Sequence, residues 1–117
     1  MKRLVLGLMM LTWANSPLAV AQLSKAEKIA FDMAVSQCAV EEGFLLPERG
    51  KQYWGWLLAL GIDQGHYTKQ EVHRIVNETS FKDLTNTLIE YLGGCPEIAK
   101  DTKDMTHKFL RWRDKNY

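Results

Sequence analysis

Two cysteines, three histidines and a run of aromatic residues are the side chains whose chemistry could define this 117-residue chain. Cys38 and Cys95 are its only cysteines, so an intramolecular disulfide has a single possible pairing. Two buried free thiols are the alternative. His66, His73 and His107 form no HExxH motif, and no short spacing pairs any of them with another metal ligand, so no metal site is expected. The chain has no G-x-S-x-G elbow, no phosphate-binding glycine loop and no dinucleotide fingerprint. Glu41, Glu42 and Glu48 flank one loop, where acids read as a solvated surface more readily than as a catalytic pair. The expectation is a protein that is not an enzyme and carries no cofactor.

Tyr53-Trp54-Gly55-Trp56 is the segment most suggestive of binding. Consecutive aromatics cannot all face one core, so Tyr53, Trp54 and Trp56 are candidate partner contacts. The competing reading is a helix that buries them on two sides. Lys108, Arg111 and Arg113 belong to a C-terminal stretch, Lys100 to Tyr117, with six Lys and Arg against three Asp and Glu. They are further candidates for contact with an acidic partner, against the plainer alternative of a solvated face of mixed sign.

The N-terminus sets the compartment. Met1-Lys2-Arg3, the apolar run Leu4 to Leu11 and the small residues Ala19-Val20-Ala21 follow the order of a cleaved secretory signal peptide. The domain plan is therefore a signal peptide over 1–21 and one domain over 22–117. The apolar run is too short to span a bilayer, so no stable membrane span is expected after cleavage. Losing Lys2 and Arg3 from 15 Lys and Arg leaves 13 against 14 Asp and Glu, a formal charge of −1 that argues against nucleic acid as a partner. The location expected is the periplasm, an equivalent lumenal compartment or the outside of the cell. An oxidising compartment favours the disulfide, and closing the loop between Cys38 and Cys95 would stabilise a small domain by about 4 kcal/mol on the loop-entropy model.

The elements that position these residues read as helices throughout. Ser24-x-x-Glu27 and Thr68-x-x-Glu71 are capping boxes. Behind the first, Ala26, Ile29, Ala30, Met33, Ala34 and Cys38 recur at three- and four-residue steps, and Gly43 is the stop. Pro47 opens a second helix running to about Leu60, with Gly61 as its stop; being apolar on most sides, it is expected at the centre of the domain. A third helix presents Val72, Ile75 and Val76. A fourth, with Ser80 as candidate cap, presents Phe81, Leu84, Leu88, Ile89 and Leu92. Gly93-Gly94 ends it, and Pro96 begins a last helix with the seam Ile98, Thr102, Met105, Phe109 and Trp112. No stretch alternates as a strand would. The fold expected is all-α, a bundle of four or five helices closed by one disulfide.

The order Cys38, Gly43, Tyr53-Trp54, Gly61, Val72-His73-Arg74-Ile75-Val76-Asn77 and Gly93-Gly94-Cys95 resembles small exported helical proteins of cyanobacteria that have no assigned activity. The resemblance implies an exported helical domain. A weaker likeness is to HdeA-type periplasmic acid-stress chaperones, which are also short, exported, helical and closed by one disulfide. The functional expectations are an exported binding or accessory protein, with a protein partner possible, or a small stress chaperone that exposes aromatic surface when conditions change.

Overall fold

The computed structural model describes residues 23–116; the expected signal peptide lies outside them. Among the described residues there are six α-helices and no strand: α1 (Lys25–Glu41), α2 (Gly50–Asp63), α3 (Lys69–Val76), α4 (Phe81–Tyr91), α5 (Cys95–Asp101) and α6 (Lys103–Asn116). A 3-10 turn, Pro47–Arg49, leads into α2. The described chain is all-helical, as its pattern implies, with extents of 40 × 30 × 25 Å.

Both capping boxes form. The Ser24 Oγ accepts from the Glu27 N–H at 3.1 Å while Glu27 Oε1 accepts from the Ser24 N–H at 2.8 Å, and Thr68 and Glu71 repeat the arrangement. Glu71 does a second job. Its Oε2 lies 2.7 Å from Lys25 Nζ, tying the start of α3 to the start of α1.

The centre of the bundle is α1, which corrects the expectation for α2. Ile29, Ala30, Ala34, Val35, Ser36, Cys38 and Ala39 are all buried along it, and α2, α3, α4 and α5 pack against it. Its small side chains are the reason, because alanines let neighbouring helices approach closely, whereas the bulky residues of α2 hold neighbours off. The core falls into two clusters on either side of α1. One gathers Val35, Cys38, Leu45, Tyr53, Leu57, Cys95, Ile98 and Phe109; the other gathers Ile29, Ala30, Tyr67, Ile75 and Phe81. The Cys38–Cys95 disulfide lies in the first, joining α1 to the first residue of α5 with Cα atoms 4.8 Å apart.

Three helix ends differ from the sequence pattern. Gly61 does not stop α2, which continues to Asp63 and turns at Gly65 with φ +80°. Ser80 makes no side-chain cap bond at the start of α4. The single last helix is divided at Thr102, whose hydroxyl donates to the Ile98 carbonyl at 2.7 Å and whose backbone leaves the helical region, giving α5 and α6. Gly93 and Gly94, with φ +99° and +91°, make the corner into α5 in a conformation that side chains disfavour.

Candidate functional site

Most of the aromatic segment is structural. Tyr53 is 0 % exposed: its ring stacks on Phe109 at 4.9 Å between centroids, and its hydroxyl meets Thr106 Oγ1 at 3.0 Å. Tyr53 is thus a core residue and not a surface contact. Burial pushes its phenol up to about 12, against the opposing effect of the Thr106 bond. Trp56 packs half-buried on the same cluster, 5.7 Å from Phe109 and 6.4 Å from Trp112. Trp54 turns to the other cluster and stacks on Phe81 at 6.2 Å, and its buried Nε1 has no hydrogen-bond partner among the described residues. The two tryptophans therefore serve opposite sides of α2 rather than one surface. On α6, Lys108 and Arg111 are exposed, while Arg113 Nε donates to Gln52 Oε1 of α2 at 2.8 Å.

A different constellation emerges where α1, α2 and α4 meet. A groove of about 620 Å³ is walled by Phe31, Leu57, Leu60, Leu88 and Leu92, with Leu23 and Met105 of α6 also lining it. This is within the size range of small-molecule sites, roughly 300–1,000 Å³. Burial grades the lining: Leu57, Gly61 and Tyr67 are buried, whereas Gln64, His66 and Tyr91 are exposed at the mouth, Tyr91 by 79 %.

Asp32 is the polar group built into this apolar wall. The Tyr67 hydroxyl donates to its Oδ2 at 2.5 Å. Its Oδ1 has no hydrogen-bond partner among the described residues, and Lys28, one turn earlier on α1, lies beyond ion-pair distance. Asp32 as a residue is half-buried, yet its carboxyl is surrounded densely enough that desolvation dominates. The carboxyl is raised to about 6, the Tyr67 bond opposing the rise only in part. Tyr67, 4 % exposed, is itself driven well above the ordinary phenol range by burial and then by its bond to Asp32.

Gly61 makes this pairing possible. It sits inside α2 against the Tyr67 ring, and a Cβ there would overlap the phenol oxygen and the ring carbons behind it. The glycine that reads as a helix stop is instead a notch for the side chain that holds Asp32.

Asp32 and Tyr67 were not among the candidates from sequence, although one signal marks the first: Asp32 is the only charged residue between Lys28 and Glu41. Nothing in the sequence distinguishes Tyr67 as its partner. No group of three or more His, Cys, Asp or Glu among the described residues is arranged to hold a metal ion. No helix among them is long and apolar enough to cross a membrane. No protein-family model, curated protein or solved structure matches the chain.

Proposed function

We propose that this is a non-enzymatic binding protein of an exported compartment, and that its binding site is the groove between α1, α2 and α4. The observation that carries the proposal is an apolar groove of ligand size, open at an exposed aromatic rim, with one desolvated carboxyl in its wall. The disulfide is compatible with an oxidising compartment, and the order of residues 1–21 supports export. Lys108 and Arg111 form a separate exposed basic face on α6 that would meet a protein partner, and neither residue lines the groove.

The acid-triggered chaperone is the weaker reading, and Asp32 counts against it. A carboxyl raised in the folded state binds its proton more readily there than in the unfolded chain, so acidification from neutral pH strengthens folding at this group. An acid trigger needs the opposite sign. The links among the described residues that loosen with acid are exposed ones, foremost Lys25–Glu71, where Glu71 is lowered mainly by its bond to Lys25.

The test is binding of a neutral polarity-sensitive dye, Nile red, to the oxidised protein at about pH 5, where the Asp32 carboxyl holds its proton and a neutral ligand meets no ionised group in the wall. Leu60 lines the groove without belonging to either core cluster. Leu60→Trp should fill the space and weaken dye binding at least fivefold with an unchanged urea midpoint. No binding by the native protein, or binding indifferent to Leu60→Trp, would contradict the proposal.

A further inference from the structure

Resting on the groove as binding site, we infer that its ligand class is the amphipathic amine: an apolar body that fills the groove and a cationic nitrogen that meets the free Oδ1 of Asp32. The inference comes from what filling the groove does to Asp32. Its Oδ2 is already engaged by Tyr67, whereas Oδ1 has no partner among the described residues. A purely apolar ligand would strip water from Oδ1 and supply nothing in return, which disfavours binding whenever the carboxyl is ionised. An anionic amphiphile meets the same penalty along its tail, and its head could reach a cation only at Lys28. A protonated amine removes the penalty by donating to Oδ1, and the low-dielectric walls Phe31, Leu57 and Leu88 strengthen that pairing.

Charge around the groove agrees. Glu27 and Lys28 of α1 bring one formal charge of each sign to the lining, and the Glu27 carboxylate already accepts from the Ser24 N–H in its capping box. Tyr53 of α2 lies near enough to feel the Asp32 charge but is bonded to Thr106. His66 and Tyr67 follow α2, α4 contributes Tyr91, and α6 contributes only the uncharged Met105. With one formal charge of each sign from Glu27 and Lys28, Asp32 leaves the described lining of the groove one negative charge in excess. The exposed Tyr91 ring at the mouth provides an aromatic face that also suits a cation.

Octylamine, octan-1-ol and octanoate share one apolar body and differ in head group, and calorimetric titration of each into the protein purified from its exported location separates the possibilities. At pH 7.5 octylamine should bind at least tenfold more tightly than either of the others. That preference should fade below about pH 6, where Asp32 takes up its proton. It should vanish in Asp32→Asn, which keeps an acceptor for Tyr67 and whose folding is checked by circular dichroism. Because the remaining titratable groups are common to both proteins, the comparison isolates Asp32. Octanol binding as tightly as octylamine would overturn the amine while leaving the groove as a binding site. Tighter binding of octanoate would transfer recognition to Lys28 and overturn it equally. Failure of all three, as when upstream residues of this chain or a second copy already fill the groove, would overturn both the ligand class and the groove reading.

Discussion

Asp32 and Gly61 are the residues on which the site turns, and each makes a prediction of definite sign. The folded Asp32 carboxyl binds its proton at about pH 6, against 3.8 for an unperturbed one. Between those values the folded chain holds more of the proton, so stability at this group is fully present below about pH 4, falls as pH rises to about 6, and is level above that. The difference corresponds to about 3 kcal/mol. Asp32→Asn should abolish this fall, so urea midpoints of the two proteins, compared from pH 4 to 8, should diverge in favour of the variant as pH rises. Parallel curves would mean that the carboxyl is hydrated. At Gly61, alanine would gain about 1 kcal/mol of helix propensity but must displace the Tyr67 ring. Overpacking of this kind costs about 1–3 kcal/mol. Gly61→Ala should therefore lower stability overall in chemical denaturation, and a variant as stable as the native protein would remove the notch from the account.

At the scale of elements, the legible features were those governed by local chemistry. Two capping boxes announce α1 and α3 because a hydroxyl and a carboxylate three residues apart can satisfy each other's backbone partners only at a helix start. The glycine corner before Cys95 is equally local. What was not legible depended on neighbours. Gly61 carries the same signal whether it ends a helix or receives a ring, and only the fold brings Tyr67 over it. Asp32 interrupts an apolar stretch visibly, but its desolvation requires walls from α2 and α4. The aromatic segment was legible as an alternative, and its division between two core clusters realises the reading in which α2 buries rings on both sides. The break at Thr102 makes a further prediction. Thr102→Ala removes the hydroxyl that donates to Ile98 and restores helix propensity, so hydrogen exchange across Thr102 to Thr106 should slow. Faster exchange there would show that the hydroxyl supports the corner instead of dividing the helix.

The whole molecule is held by a pin placed far apart in sequence. Cys38 and Cys95 are separated by 57 positions, and the stretch between them, which contains α2, α3 and α4, supplies most of the groove's lining, from α2, α4 and the residues that follow each of those two helices. Replacing both cysteines by alanine should lower stability by about 4 kcal/mol, read as a fall in the urea midpoint, a large fraction of what a domain of this size possesses. An unchanged midpoint would show that the helices hold the loop closed unaided. The groove exists only when α1, α2 and α4 assemble around Asp32, so the titration of that one carboxyl reports the assembly as a whole. Its side-chain carbon, followed by carboxyl-detected NMR from pH 3 to 8 in the oxidised, ligand-free protein, is the most direct measurement. A midpoint near 6 is the result predicted. A midpoint near 4, the value of a carboxyl in water, would contradict the desolvated site on which the proposed binding function rests.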